Sequence, residues 1–350
     1  MQFRLIASGG ILLCLSILPF FTTVGLAKSS KLPTHIANLE NMLKNIPCWV
    51  YLLITGVLIV LFYLIFQKYI RKGRNHSNRS KPDPSSEPIT IRNSVFKVIP
   101  GNAQHIGARS EQQDAFAFSD ISDDQFIRQF GVLAVLADGM GGLSGGKEAS
   151  RLAVNSFLDH YLHSSNTHSI PEKLVNSVKM ANDAVLQFAR ENGLEGGVGT
   201  TLIAAVVLNN QLYCLSVGDS RIYLHQGEAL TQLTTDHIYA NELDEKAAFG
   251  EITMEEAEND PQRESLTSFL GLERLEELDV TMEPIQLYEG DSVILCSDGL
   301  YGSVTNHEMI DACRRLSAQE AAEELIEMAL RKQKPNQDNA TVALLTIRIC

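Results

Sequence analysis

The chain is poor in cysteine, and its cysteines show no paired spacing. It has six in 350 residues, at positions 14, 48, 214, 296, 313 and 350. This pattern predicts no disulfide framework. Cys214 and Cys296 fall within strand-like apolar runs, which favours small core residues over catalytic thiols.

Basic residues are scarce beyond the N-terminal quarter of the chain. Residues 1–86 have a net charge of +8, whereas the remaining residues have a net charge of −21. Nucleic-acid binding needs lysine and arginine against the phosphates, so this balance argues against it. An anionic substrate on so acidic a domain would need metal ions or a local arginine.

Two long apolar runs near the N-terminus predict membrane-associated segments. The run from Trp49 to Phe66 has no charged residue and is about long enough to cross a bilayer. Six lysines and arginines follow within residues 68–81, which by the positive-inside rule places the rest of the chain in the cytoplasm. The earlier run, at residues 5–27, fits either a cleaved signal peptide or a first transmembrane helix.

These features divide the chain into five segments. We predict a signal peptide or first transmembrane helix at 1–27, an extracytoplasmic segment at 28–48, a transmembrane helix at 49–67, a basic, polar cytoplasmic linker at 68–94 and a large domain at 95–350. The lipid bilayer is therefore an expected partner. The expected location is the inner or plasma membrane, with the large domain in the cytoplasm.

The patterns in the large domain predict an α+β fold. Strand-like runs occur at Phe96–Ile99, Ala115–Phe118, Val132–Ala137, Thr201–Leu208, Gln211–Val217, Arg221–Leu224, Leu278–Met282, Ser292–Cys296 and Thr341–Ile347. Helical patterns occur at Lys147–His160, Glu172–Glu191, Asn306–Arg315 and Ala318–Lys332. Strands cluster in hairpins, one with a tight Asn209-Asn210 turn, and helices come in pairs. This order favours packed layers over a parallel doubly wound sheet.

Acidic residues stand next to several predicted strands that are far apart in sequence. The blocks are Glu111-Gln112-Gln113-Asp114, Asp138-Gly139-Met140-Gly141-Gly142, Gly218-Asp219-Ser220-Arg221, Ser297-Asp298-Gly299-Leu300 and Gln337-Asp338-Asn339-Ala340-Thr341. Strand ends can meet at one edge of a sheet, where unpaired carboxylates repel one another and are costly to desolvate. Cations resolve that conflict. Oxygen ligands without Cys or His favour Mg²⁺ or Mn²⁺ over Zn²⁺.

Three of these carboxylates, Asp138, Asp298 and Asp338, predict a site for two ions, to which the Gly139 carbonyl can add an oxygen. Two ions about 3.5–4 Å apart can hold a water molecule and lower its pKa, giving a nucleophile for phosphoryl transfer. Arg109 is the expected phosphate anchor, because a guanidinium grips two phosphate oxygens at once. Taken singly, each aspartate could be a turn or cap residue and Arg109 a surface ion-pair partner.

The motifs also occur in a fixed order along roughly residues 95–348. They are Gly107-Ala108-Arg109 through Asp114, Asp138-Gly139-Met140-Gly141-Gly142, Gly199-Thr200-Thr201, Gly218-Asp219-Ser220-Arg221, Ser297-Asp298-Gly299 and Asp338-Asn339-Ala340-Thr341. In this order and spacing they resemble the motif series of the bacterial metal-dependent serine/threonine protein phosphatases, the PPM family. Any one block is a common turn, whereas the whole series is specific.

The resemblance implies a four-layer α-β-β-α sandwich, two antiparallel sheets flanked by helix pairs, with two Mn²⁺ or Mg²⁺ ions between the sheets. It implies that Asp138 bridges both ions and that the Gly139 carbonyl binds one of them. Asp298 and Asp338 would bind the other, and Arg109 would hold the substrate phosphate.

The same resemblance assigns further residues around the ions. Gln113 and Asp114 would act in the outer coordination shell, through water. Asp219 matches a residue that helps to bind a third, weaker ion in some members. Residues from about 236 to 270 match a flap that shapes substrate access.

Three positions depart from the family pattern. Gln113 stands where glutamate is frequent, Met140 where some members have a proton-donating histidine, and Gly302 where many have an aspartate of the third-ion site. The resemblance therefore assigns no general acid to this chain.

The leading functional hypothesis is a membrane-anchored enzyme that hydrolyses phosphoserine or phosphothreonine. Its partners would be phosphorylated cytosolic or membrane proteins, the substrates of a serine/threonine kinase. One alternative is a non-catalytic phosphoprotein-binding scaffold at the membrane, and another is a small-molecule phosphatase of the same fold. The complete set of Asp138, Asp298 and Asp338 favours an enzyme.

Overall fold

Two β-sheets form the centre of the protein. The computed structural model describes residues 4–5, 96–142, 145–165 and 167–349. The first sheet has eight strands: β1 (Arg4–Leu5), β3 (Asp114–Phe118), β4 (Val132–Gly141), β5 (Val198–Thr200), β6 (Leu202–Leu208), β7 (Gln211–Val217), β10 (Asp279–Val280) and β11 (Ile285–Gln286). Their order is β1-β10-β7-β6-β4-β3, with β5 paired to β4 and β11 to β7. The pairs are antiparallel except for β1 with β10, which is parallel.

The second sheet has five strands, all antiparallel. They are β2 (Phe96–His105), β8 (Arg221–Gln226), β9 (Ala229–Gln232), β12 (Ser292–Cys296) and β13 (Ala340–Ile349), in the order β2-β13-β12-β8-β9. The link from β7 to β8 carries the chain from the first sheet to the second.

Eight helices complete the described part of the chain. They are α1 (Asp124–Phe130), α2 (Gly145–His163), α3 (Ile170–Glu191), α4 (Ala240–Ala248), α5 (Met254–Glu258), α6 (Asp298–Tyr301), α7 (Asn306–Arg315) and α8 (Ala318–Arg331). Four of them, α3, α5, α7 and α8, begin with a capping box in which a Ser or Thr and a Glu three residues later satisfy each other's backbone N–H groups.

The apolar core is divided into three layers, and this division defines the architecture. One layer fills the space between the first sheet and helices α2 and α3, and a second fills the space between the sheets. The third separates the second sheet from helices α7 and α8. Three cores between four layers confirm the predicted α+β sandwich of two sheets flanked by helix pairs.

Most predicted elements are present, and the differences have local causes. Strand β2 continues past Pro100 to His105, although the sequence predicts its end at Ile99. Proline is tolerated there because β2 lies at the edge of its sheet. Helix α1 was not predicted because its seven residues make only about two turns, too few for a helical pattern to stand out.

The tight turn predicted at Asn209-Asn210 is confirmed. Both residues have positive φ, 51° and 64°, and the ladder of β6 and β7 closes directly on them with Leu208 opposite Gln211. Two successive left-handed residues form the turn whose twist matches a two-residue hairpin.

None of the helices in the described part of the chain is long and apolar enough to cross a membrane. The predicted membrane segments at 1–27 and 49–67 lie outside the described residues, apart from the two residues of β1, and so do the segments at 28–48 and 68–94.

Replacing Asn210 tests the hairpin. We expect Asn210→Gly to leave the unfolding temperature of the protein essentially unchanged or to raise it, whereas Asn210→Val should cost about 1–2 kcal/mol of stability, because a β-branched residue is strained in the left-handed region. Thermal unfolding followed by circular dichroism measures both. Gln211→Val, in the adjoining extended strand, is the control, and equal tolerance of valine at both positions would contradict the turn assignment.

Candidate metal centre

The candidate site lies at one end of the core between the sheets. In β4, Val132, Ala134 and Leu136 face that inter-sheet core, while the alternate residues face α2 and α3. Side chains alternate along a strand with a period of two, so Asp138 falls on the inter-sheet face as well. The apolar row therefore ends in a carboxylate.

Asp114 lies directly opposite Asp138, in the neighbouring strand β3. Its side chain is 6% exposed. Its Oδ2 accepts hydrogen bonds from the hydroxyls of Ser297, at 2.8 Å, and Thr341, at 2.6 Å, both of which belong to the second sheet's side of the site. Asp114 thus connects the two sheets at the end where the candidate ligands lie.

The backbone of Asp138 is fixed by two threonines of the motif Gly199-Thr200-Thr201. Its N–H donates to Thr201 Oγ1 at 2.9 Å, and its carbonyl accepts from the Thr201 N–H at 2.9 Å and from Thr200 Oγ1 at 2.8 Å. These bonds fix the strand end that bears the Asp138 carboxylate.

Gly139 is required by close approach of the backbone. A Cβ at this position would lie 2.1 Å from the Gly146 carbonyl oxygen and 2.7 Å from the Gln113 carbonyl oxygen. Both neighbours are main-chain atoms that cannot move aside. Helix α2 therefore begins in contact with the strand end, which explains the glycine in the motif.

Three further aspartates reach the site from other elements. Asp298 is the first residue of α6, directly after β12, and Asp338 precedes β13. Asp219 lies in the turn that joins β7 to β8. The pKa of Asp138 is raised well above its usual value, first by burial and then by the charges of four other residues, namely Asp114, Asp298, Asp219 and Asp338. The structure therefore brings together all five predicted carboxylates.

Burial and mutual repulsion make this cluster hold protons. Burial raises the pKa of Asp114 to about 6, against the opposing effect of the Thr341 and Ser297 hydroxyls. Burial, followed by the charge of Asp298, raises the pKa of Asp219 to about 7. The pKa of Asp298 is raised by burial and by the charge of Asp338. A cation among these groups would reverse all of these shifts.

Two oxygen atoms in the cluster are suited to receive such a cation. Asp114 Oδ1 and Asp298 Oδ1 are buried and have no hydrogen-bond partner. An unpartnered buried carboxylate oxygen is costly, and binding of a hard cation removes that cost. In the described residues no three His, Cys, Asp or Glu side chains already enclose a common point. The three carboxylates predicted to share one ion, Asp138, Asp298 and Asp338, therefore do not yet enclose a common point in the described structure.

Arg109 stands at the rim of the cluster. Its guanidinium makes an ion pair of 2.5 Å with Asp338 Oδ2, and its side chain is 57% exposed. The loop that bears it comes close to the segment before β13, since a Cβ on Gly107 would lie 2.3 Å from the Asp338 carbonyl oxygen. Arg109 thus has access both to solvent and to a predicted metal ligand.

Gln113 has a clear structural contribution beside its predicted role through water. Its Nε2 donates to the Gly141 carbonyl at 3.0 Å, and its own carbonyl accepts from the Gly139 N–H at 3.1 Å. These bonds hold the glycine-rich end of β4. The role of Gln113 in the outer coordination shell stays a prediction.

Two buried amides flank Asp338, and the sequence analysis gave them no role. Asn339 accepts from the Gln113 N–H at 2.7 Å and donates to the carbonyls of Ile106 and Glu111 at 2.8 and 3.1 Å, which holds the loop that bears Arg109. Gln337 donates to the Gly299 carbonyl at 2.8 Å. The available signal was two amides beside an aspartate, immediately before a buried strand.

Comparison with known proteins identifies the family to which this site belongs. Residues 102–342 match the family model described as protein phosphatase 2C. The chain belongs to the protein phosphatase 2C family. This is the metal-dependent family that the motif series resembles, and membership confirms the prediction of a serine/threonine protein phosphatase.

Individual relatives agree with this assignment. The serine/threonine phosphatase stp of Listeria welshimeri is 35% identical over 217 residues, which cover 61% of this chain and 83% of that protein. The crystal structure of the Mycobacterium tuberculosis phosphatase PstP/Ppp covers 72% of this chain and 99% of its own, with a TM-score of 0.59 and 31% identity. The catalytic domain of PstP in complex with two manganese ions covers 73% of this chain and 100% of its own, with a TM-score of 0.57 and 29% identity.

The raised carboxyl pKa values predict a pH-dependent stability. Because the folded-state pKa of Asp219, about 7, lies above its usual value of 3.8, its contribution to stability is present below pH 4 and is lost as the pH rises toward 7. We therefore expect metal-free Asp219→Asn protein to gain unfolding temperature relative to the wild type as the pH rises from about 4 to about 7.5.

Differential scanning fluorimetry across this pH range measures the difference between the two proteins. Asp183→Asn, a change of the same charge at an exposed side chain that forms no ion pair within the described residues, is the control. A difference between wild type and Asp219→Asn that stays constant with pH would contradict the prediction.

Proposed function

We propose that this phosphatase hydrolyses phosphoserine and phosphothreonine on cytosolic or membrane proteins with the help of two Mn²⁺ or Mg²⁺ ions. The proposal rests on one observation: five aspartates meet at the end of the inter-sheet core, and two of their buried oxygens lack a hydrogen-bond partner. Buried charge of one sign is stable only when it is paired or binds metal. The two manganese ions bound by the related PstP domain support this assignment.

The ligands would be divided between the two ions. Asp138 would contact both, the Gly139 carbonyl would add an oxygen to one, and Asp298 and Asp338 would hold the other. When bound, the ions activate water and offset charge on the phosphoryl group. Asp138 is suited to the shared position because all four other aspartates act on it electrostatically.

The remaining residues would orient water and substrate. Asp114 keeps Oδ1 unpartnered while Ser297 and Thr341 occupy Oδ2, so it can accept a hydrogen bond from ordered water beside the ions, as Gln113 would from its own position. Asp219 would help to hold a third, weaker ion.

Arg109 would bind the substrate phosphate. Its guanidinium is exposed at the rim, where a phosphorylated side chain can arrive from solvent. If Asp338 held an ion, Arg109 would be available to two phosphate oxygens, the bidentate geometry for which a guanidinium is suited.

Replacing the central aspartate tests the proposal. We expect Asp138→Asn to lower Mn²⁺-dependent hydrolysis of a phosphothreonine peptide at least about a hundredfold, because charge that stabilises the transferring phosphoryl group would be misplaced. EDTA should abolish the wild-type activity, and Mn²⁺ should restore it. Initial rates of phosphate release by the full-length protein measure both effects.

The matched control is Asp159→Asn, which removes an exposed carboxylate far from the cluster in the same fold. Wild-type protein that is folded but inactive with every divalent ion tested would contradict the proposal and would favour the phosphoprotein-binding scaffold.

We further propose that the protein is anchored in a membrane with its phosphatase domain in the cytoplasm. The uncharged run from Trp49 to Phe66 and the basic residues after it support this topology. After cell fractionation, we expect the full-length protein in the carbonate-washed membrane pellet, with the phosphatase domain protected from protease added outside intact cells. Recovery in the soluble fraction, or cleavage of the domain by external protease, would contradict the anchor.

A further inference from the structure

We propose that an acidic cleft beside the flap binds an arginine- or lysine-containing segment of the phosphoprotein substrate, a proposal that rests on the proposed function. The cleft has a volume of about 560 Å³ and lies between α4 and residues 276–279. Of its ten lining residues, six are acidic and none is basic. The acidic residues are Glu242, Asp244, Glu245, Glu276, Glu277 and Asp279.

The outer part of the cleft has unneutralised charge. Glu245 and Glu276 are exposed, and neither forms an ion pair within the described part of the chain. Glu242 and Asp244 are partnered by Lys246 and by Arg263, neither of which lines the cleft. A flexible cationic side chain entering from solvent would meet two free carboxylates at once.

On the inner wall of the cleft, the Asp279 carboxylate faces no full positive charge. Asp279 is 5% exposed, and its Oδ2 lies 3.6 Å from Nε2 of His237, which is 1% exposed. His237 Nδ1 accepts a hydrogen bond from the Gly218 N–H at 3.1 Å, and Nε2 has no hydrogen-bond partner. Because Nδ1 is an acceptor, the ring faces Asp279 as a neutral imidazole. A guanidinium or ammonium in the cleft would supply the charge that the imidazole does not.

The backbone around Asp279 already accepts an extended chain. The strand β10 pairs with β7 on one side and, on its other edge, in parallel with Arg4–Leu5. In this register Arg4 stands opposite Asp279. Because β10 is paired along both edges, a substrate would bind the cleft through its side chains and not by adding a strand.

The cleft is joined to the candidate metal centre by specific contacts. Its lining residue Thr235 precedes Asp236, which binds the Arg221 guanidinium at 2.6 Å. That guanidinium lies over the Tyr301 ring, 3.7 Å from its centre. Tyr301 ends the helix that Asp298 begins. These contacts connect the wall of the cleft to the helix that begins with Asp298.

The first test measures binding without catalysis. The probe is a fluorescent unphosphorylated peptide with two arginines, compared with its alanine counterpart, and the readout is fluorescence anisotropy with the full-length protein. We expect the arginine peptide alone to bind, and Glu245→Gln with Glu276→Gln to weaken its binding about fivefold or more. Glu255→Gln with Glu258→Gln removes the same charge from the same flap outside the cleft and should leave binding within about twofold.

The second test measures substrate preference. We expect the wild type to hydrolyse a phosphothreonine peptide with flanking arginines at a higher kcat/KM than its alanine counterpart, and the cleft variant to lose this preference while the control variant keeps it. The preference should shrink as salt is raised, because it depends on attraction between charges near the surface.

The outcomes separate the cleft from the catalytic proposal. Cleft-dependent binding of the arginine peptide without any hydrolysis would support the cleft and overturn the proposed activity. Equal binding of the two peptides, or equal loss in the cleft and control variants, would overturn the cleft. If the arginine peptide binds only after Arg4→Ala, the occupant is the chain's own N-terminal strand and the substrate proposal is wrong.

Discussion

The repulsion among five carboxylates gathered at one end of the inter-sheet core is the constraint on which this structure depends. Asp138 ends a strand whose apolar residues fill the inter-sheet core, and Asp114 lies opposite it. Neither can withdraw to solvent, because the strands that bear them are held by the core. Among the described residues, no buried lysine or arginine pairs with either of them. The fold fixes their backbones and gives some of their oxygens hydroxyl partners. The negative charge that remains is suited to a divalent cation.

The support for this cluster comes from polar residues that connect the two sheets. Ser297 and Thr341 reach Asp114 from the second sheet's side, and Thr201 holds the Asp138 backbone within the first. Hydroxyls are suited to this task because they stabilise a carboxylate without removing its charge. The sandwich thus keeps its layers in register at the end where the apolar core stops and where repulsion would otherwise separate them.

The sequence alone was sufficient for features that follow from local periodicity. The continuous apolar run Val132–Ala137 predicted the buried strand that ends at Asp138, and Asn209-Asn210 predicted the hairpin. The contributions of Asn339 and Gln337 were not predicted, because their hydrogen bonds join residues up to 233 positions apart. The two-residue strands β10 and β11 are likewise defined by pairing with β7 and have too few residues for a pattern. The cleft was not predicted either, since its acidic residues come from two separate segments of the chain.

Residues at the start of the flap contact residues next to the candidate metal centre. A substrate bound beside the flap would therefore affect that centre. His237 receives the Gly218 N–H, one residue before Asp219, and faces Asp279 in the wall of the cleft. A cation that binds Asp279 would draw its carboxylate away from the His237 imidazole. The same imidazole holds the turn that bears Asp219, so its environment would change as well. Arg221, bound to Asp236 and stacked on Tyr301, gives a second route toward Asp298. Under the two proposals, charge in the cleft would therefore act on the carboxylate cluster through these hydrogen bonds as well as through space.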